Sequence, residues 1–478
     1  MEDGLRKLAA TVLLSLAALP AVADRSNLTD SRKRASVASE PRARSEPAKR
    51  RAWARERESD QRSPSDSYEK YWPQWRGPYA TGVSRTADPP VEWSETKNIR
   101  WKVEIPGRGS GTPVIWNDKV FVLTAVPSVE GGDKSHEPRG GGAKVPHKFV
   151  VMALDRKTGR TLWERTAYEH TPHEGSHPQW GTWASSSAIT DGERVYAFFD
   201  SFGLYAYDMN GTLLWSKDLG DKRMRQEFGE GQTPVLHGNR IVVQWDHQGP
   251  SFIAALDKTT GAELWRTDRQ EIDSWGTPLV VEQNGRAQVI TTAMNKVRSY
   301  DLETGKVVWE GPGLTMNPIP SAVYDDGIAI LMSGFRGNQL RAVRLADATG
   351  DITSTSAQVW TLEKDTPYVP SPLLYDGIVY FLKTNSGLLS AYDARTGTPH
   401  YALQRLDGVP NVFASPVGAN GRVYLPGQEG TTLVIKSGPA YQVLAKNTLD
   451  DGFNASPALV DGELYLRGFR SLYSIGSK

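Results

Sequence analysis

The chain has no cysteine. For these residues that excludes a disulfide framework, thiolate metal ligation and a lipid-modified cysteine. Long amphipathic helical patterns are scarce, and no apolar run is long enough for a comfortable transmembrane helix. Charge of one sign is missing too, with 56 Lys/Arg against 55 Asp/Glu and a formal net charge of +1. The composition therefore implies no nucleic-acid partner and no integral membrane protein. What is abundant is Gly (45), Pro (30) and Trp (15). Together they point to many short strands joined by tight turns.

The N-terminus reads LRKLAATVLLSLAALPAVAD. Arg6 and Lys7 precede an apolar run from Leu8 to Leu19 and the small-residue site Ala21-Val22-Ala23. This is the layout of a signal peptide over 1–23, so the protein is expected to be exported, periplasmic or extracellular. Residues 24–70 are rich in Arg, Ser, Glu and Pro and poor in aliphatics. They are expected to form a disordered basic and polar linker. An entry segment, 71–97, is expected to pack on the domain that follows.

From there the chain repeats itself. ALDRKTGRTLW (153–163), ALDKTTGAELW (255–265), SYDLETGKVVW (299–309) and AYDARTGTPHY (391–401) are copies of one unit, and AYDMNGTLLW (206–215) is a shorter one. A second element alternates with it: GTPVIWNDKVFVL, SSAITDGERVYAF, TPVLHGNRIVVQ, TPLVVEQNGRAQVI, PSAVYDDGIAIL, SPLLYDGIVYFL, SPVGANGRVYLP and SPALVDGELYLR. Each reads as a β-hairpin. With the two strands around each D-x-x-T-G turn, this gives eight units of four antiparallel strands. The fold class expected is all-β, an eight-bladed β-propeller over 98–478. The last unit supplies only three strands, so 98–105 is expected to pair within 464–475 and close the ring. Gly159, Gly261, Gly305 and Gly397 suit the turn, and Asp155, Asp257, Asp301 and Asp393 can bond its backbone. Trp101, Trp163, Trp215, Trp265, Trp309 and Trp360 are expected as structural plates between blades, each burial stabilising by roughly 4–6 kcal/mol at most.

The pattern A-x-D-x-x-T-G-x-x-x-W resembles the tryptophan-docking repeat of the pyrroloquinoline-quinone (PQQ) type propellers, over about 72–478. The opening WPQWRGPYATGVS is similar to that of secreted bacterial members. The resemblance implies the fold far more strongly than the activity, because it spans quinoprotein alcohol dehydrogenases and the non-catalytic outer-membrane protein assembly factor B. Those dehydrogenases use PQQ, calcium, a catalytic Asp and typically a pair of adjacent cysteines, and this chain has no cysteine. PQQ stays open as a cofactor through the resemblance alone, with calcium or zinc as metals. No catalytic residue is assigned.

Propeller topology puts the second-to-third-strand loops and the blade-to-blade connections on one face, bordering the channel. The longest loops fall there. They carry six of the eight histidines (His136, His147, His170, His173, His177, His247). The candidate ligand-binding residues are His173, His177, Trp180, Glu230, Asp246, His247, Trp275, Arg336, Tyr368 and Asn411. His170, His173, His177 and His247 are candidate metal ligands. His173 to His177 spells H-E-x-x-H, the zinc-protease pattern, which works by placing two imidazoles one helical turn apart. Gly175 and Ser176 within it and Pro178 after it oppose that helix, so the zinc-protease reading is set aside. The glycine run Gly140–Gly142 lacks the Lys-Ser/Thr of a phosphate cradle.

The function expected is an exported propeller, acting as a monomer, that binds a ligand or envelope protein at its long-loop face without catalysis. The alternatives are a PQQ- or metal-dependent oxidoreductase and an envelope protein-assembly scaffold.

Overall fold

The computed structural model describes residues 66–129, 145–177 and 180–477. The expected signal peptide, most of the expected linker, His136 and the Gly140–Gly142 run lie outside the described residues. The described chain opens with one helical turn, Asp66–Glu69, within the stretch expected as linker. Among the described residues no helix is long and apolar enough to cross a membrane.

The rest is an eight-bladed propeller. Blade 1 contains Val114–Trp116, Lys119–Pro127, His147–Asp155 and Thr161–His170. Blades 2 to 7 repeat the pattern, beginning at Ile189, Val235, Leu279, Val323, Leu373 and Val417. Blade 8 takes Ala458–Val460, Glu463–Arg467 and Ser471–Gly476 from the end of the chain and Ile99–Glu104 from its start. The closing register pairs Ile99 with Ile475 and Glu104 with Ser471. Middle strands are apolar throughout, as Ile378–Leu382 shows, because a neighbouring blade covers each face. Outer strands such as Pro399–Arg405 are largely exposed.

The repeated residues account for the seams between blades. The indole Nε1 of Trp101 donates to Arg156 O (2.8 Å), that of Trp215 to Lys258 O (3.1 Å) and that of Trp265 to Leu302 O (2.9 Å), each in the next blade's D-x-x-T-G turn. The turn's glycine lies flat against the same indole. A Cβ on Gly305 would sit 2.5 Å from Trp265, at a φ of +69° that already favours glycine. Trp309 departs from the rule. Its Nε1 donates to Gln288 of its own blade, and Gly350–Asp351 lies parallel along Trp309–Glu310 as a fifth strand. The unit that follows lacks a regular D-x-x-T-G turn, having ADATGD in its place.

The entry segment does more than pack on the ring: it fills one end of the channel. Trp72 exchanges backbone hydrogen bonds with Ile115 of blade 1, and Pro73 O accepts from Thr190 N of blade 2. Val83–Ser84 then runs parallel to the inner strand of blade 7. Between these anchors the Arg76 guanidinium, 2% exposed, donates to Pro372 O (2.6 Å), Pro416 O (2.7 Å) and Thr81 O (2.9 Å). No carboxylate is among these partners, and burial pulls its pKa down to about 9.

Candidate functional site: the open mouth of the channel

The inner strand of each blade starts from a Ser or Thr at the same position of the repeat: Thr112, Ser187, Thr233, Thr277, Ser321, Ser371, Ser415 and Ser456. These residues form a belt. Ser187 Oγ accepts from Thr112 N (2.9 Å), and Thr233 Oγ1 accepts from Ser187 N (3.0 Å). Further round, Ser371, Ser415 and Ser456 hydroxyls accept from Ser321, Ser371 and Ser415 amides (2.9 Å each). The hydroxyls thus serve as acceptors between blades. Sequence reasoning missed this role, although the S/T-P or S-A dipeptide recurs in all eight units.

Above the belt, the connections between blades wall a cavity of about 210 Å³. Trp75 of the entry segment contributes from the filled side of the channel. Going round, the wall receives Ser110, then His177 and Trp180, then Phe228 and Glu230, then Trp275. Ile319, Tyr368, Phe413 and Asn454 complete it. The aromatic rings brace one another: His177 stacks on Trp180 (4.1 Å, 10°), which meets Phe413 at 4.8 Å. Trp275 is held by its Nε1, which donates to Gly229 O at 2.9 Å.

Glu230 is the one acidic side chain on the wall, and no Lys or Arg lines it among the described residues. Its carboxyl accepts from Ser201 N (2.9 Å) and Ser201 Oγ (2.8 Å), with His173 Nε2 3.9 Å away. Behind it Lys222 pairs with Asp200 at 2.7 Å and lies 4.5 Å over the Trp245 ring. Burial first, and the charge of Asp200 second, push the Glu230 pKa up to about 8, against the opposing pull of Lys222.

Of the candidate binding residues, His177, Trp180, Glu230, Trp275 and Tyr368 share this wall. His173 sits beside it, its Nε2 bonded to Lys222 O at 2.8 Å. Asp246 is fully buried in an ion pair with Arg269 (2.7 Å). His247 is buried, with Nδ1 accepting from Arg223 N, and burial lowers its pKa. Arg336 is exposed over Phe335, and Asn411 is exposed with its amide on Glu429. Trp75, Phe228 and Phe413 were not singled out from the sequence.

The four histidines considered for metal do not gather. Among the described residues no group of three His, Asp or Glu side chains converges to hold an ion. His170 faces His147 across the outer strand pair of blade 1, while His177 stacks in the wall. The H-E-x-x-H stretch is a loop rather than a helix: Gly175 N donates to Glu227 (2.8 Å) and His177 N to Phe228 O.

The wall also bears on PQQ, which carries three carboxylates. Among the described residues no basic side chain lines the cavity and only one carboxylate does, so the residues present suit neither that trianion nor the several oxygen ligands of a calcium ion beside it.

Comparison with known proteins agrees with the architecture. The family model described as outer membrane protein assembly factor BamB matches residues 83–243 and 201–351, together more than half of the chain. The BamB of Francisella salina is 32% identical over 106 residues, a stretch covering 22% of this chain and only 18% of that protein. Among solved structures, BamB from Moraxella catarrhalis superposes with a TM-score of 0.52 at 13% identity, covering 79% of this chain and 96% of its own. The quinohemoprotein alcohol dehydrogenase of Comamonas testosteroni gives 0.58 at 12% identity, covering 89% and 84%. At such identities the superpositions speak for the fold alone. On the match of the family model, the chain belongs to the PQQ-repeat propeller family described as outer membrane protein assembly factor BamB.

Proposed function

We propose that this protein is an exported, non-catalytic binding propeller of the cell envelope that takes a segment of a partner protein at the open mouth of its channel. The observation that carries the reading is the character of the mouth. Braced aromatic rings wall it, the belt hydroxyls serve as acceptors between blades, and the one carboxyl among its described residues accepts from Ser201. Such a wall offers mainly contact area and shape, which favours recognition over turnover. The envelope setting rests on the signal-like N-terminus and on the relatives described as outer-membrane protein assembly factors.

The test is site-specific photo-crosslinking in intact cells. A photoreactive side chain replaces Asn411 at the rim of the mouth or, as control, Thr259 on the opposite face. A discrete envelope protein crosslinked from position 411 and not from 259 supports the reading. Equal labelling from both positions overturns it. So does PQQ with Ca²⁺ that raises the melting temperature and yields dye-linked alcohol oxidation.

A further inference from the structure

We propose that the mouth is a receptor for an organic cation, an ammonium or guanidinium group carried on an apolar stem. This deepens the binding reading above and rests on it. Three features of the wall narrow the chemistry. The first is the sign of charge: an anion entering the cavity would lose its hydration and, among the described residues of the wall, meet no Lys or Arg. The second is that part of the polar lining is already engaged: belt hydroxyls accept from amides of the preceding blade, and Trp275 Nε1 is committed to Gly229 O. The third is the presence of half-buried aromatic rings on several sides, Trp75 from the entry segment and Trp180, Trp275 and Tyr368 from different connections. Aromatic rings attract a cation through their quadrupole, most strongly where water is excluded. At about 210 Å³ the cavity is smaller than the roughly 300–1,000 Å³ of pockets that enclose whole ligands. It suits a head group.

Glu230 completes the argument as the one acid on the wall. It is faced by Asp200 and Lys222 from behind, by His173 from the preceding connection, and by the Ser201 hydroxyl and amide. Burial and the charge of Asp200 raise its pKa, against the pull of Lys222 and of the Ser201 hydrogen bonds. An arriving cation supplies the missing counter-charge, so it favours the carboxylate and expels the proton.

Isothermal titration of the full chain tests this with choline against 3,3-dimethylbutan-1-ol, which has the same shape and no charge. Titrations run at pH 7 in two buffers of different ionisation enthalpy. Choline is expected to bind at least tenfold more tightly than the neutral isostere and to release close to one proton, whereas the isostere releases none. Glu230→Gln should abolish both differences. Trp180→Leu should weaken choline at least fivefold while keeping proton release at saturation, so the test does not depend on one variant folding. Equal affinity for the two ligands, no proton release, or unchanged discrimination in Glu230→Gln overturns the proposal. A peptide with a single trimethyllysine forms the second arm. Tighter binding of the peptide assigns the cation to a partner's side chain, and tighter binding of choline to a free solute; either supports the inference. A crosslinked partner at position 411 with no cation affinity defeats this inference and leaves the binding reading standing. Cation affinity with no crosslinked partner does the reverse.

Discussion

One end of this channel is filled by the protein's own chain, and the other is left open. At the filled end a buried guanidinium, Arg76, is held by the carbonyls of Pro372, Pro416 and Thr81, with no acid among its partners. At the open end a largely buried carboxyl, Glu230, lies among aromatic rings with no basic residue among the described residues of the wall. Both groups are displaced from their usual ionisation by burial, the arginine downward and the glutamic acid upward. They differ in what satisfies them. Arg76 meets three fixed carbonyl acceptors supplied by the fold itself, although its Nε has no hydrogen-bond partner among the described residues. Glu230 has its hydrogen bonds from Ser201 but no counter-charge facing the cavity. One end reads as structure and the other as a site.

The largest expected effect is on the pH dependence of stability, through Glu230. Its folded pKa, pushed up to about 8, lies above the 4.5 of an ordinary glutamate. The folded state therefore keeps a proton that the unfolded chain releases. The stability this provides is fully present below about pH 4.5 and is lost as pH rises towards 8. The slope is up to about 1.4 kcal/mol per pH unit. Glu230→Gln should remove it. His177 and His247, whose pKa values burial lowers, act in the opposite sense in both proteins. Subtracting the two unfolding curves at pH 5, 6.5 and 8 therefore isolates the glutamate. Parallel curves would mean that Glu230 is ionised at neutral pH, and the contrast between the two ends would fail.

Arg76→Ala probes the filled end. It strips donors from the Pro372 and Pro416 carbonyls, which tie the entry segment to blades 6 and 7, and from Thr81 O within the segment, and it leaves a cavity against Gly82. We expect a loss of about 3 kcal/mol in denaturant unfolding. Arg76→Lys should fall between, since an ammonium cannot reach all three acceptors. A neutral Arg76→Ala would show that Trp72 and Val83–Ser84 hold the plug by themselves. At the open end, Trp275→Ala should cost about tenfold in affinity for a ligand at the mouth, which is ~1.4 kcal/mol. Its effect on stability should be smaller than that of Arg76→Ala. A reversed ranking would make the mouth a structural element and the plug a dispensable one.

Legibility in the sequence divided along the same line. The blades were readable because the eight hairpins and the D-x-x-T-G turns each satisfy a local rule. Asn420-Gly421 adopts the paired positive φ values (43° and 72°) that an N-G hairpin turn requires. The ring closure followed from a count of strands. The mouth was only partly readable, since PNVFA drew attention to Asn411 while Phe413 is the residue on the wall. Which side of a connecting loop faces the axis depends on the ring as a whole, and no short period encodes it. That the entry segment packs on the ring was expected, but its contacts across the ring were not legible, for a related reason. WPQWRGP carries no strand pattern, and Arg76 makes sense only beside carbonyls about three hundred residues away. The histidine cluster misled because closeness along the chain was not convergence in space: His173 bonds a backbone carbonyl, His177 stacks on Trp180, and His247 is tied to Arg223 N.

The smallest expected effect serves as the control that separates scaffold from site. Asp257 accepts from the amides of Thr259 and Thr260 (2.9 Å each) and from the Thr260 hydroxyl (3.0 Å), in an exposed turn on the filled face. Those bonds hold its pKa down even though burial acts the other way. Asp257→Ala should therefore cost about 1 kcal/mol, the usual value of a capping carboxylate in a solvated turn. The loss should spread only to the adjoining Trp215 seam, because Trp215 Nε1 donates to Lys258 O in that same turn. Affinity at the mouth should stay unchanged, since the turn and the cavity lie at opposite ends of blade 3. If Asp257→Ala weakened ligand binding as much as Trp275→Ala does, the two faces would be mechanically coupled through that blade. The rigid-ring picture, in which the connections alone form the site, would then have to be abandoned.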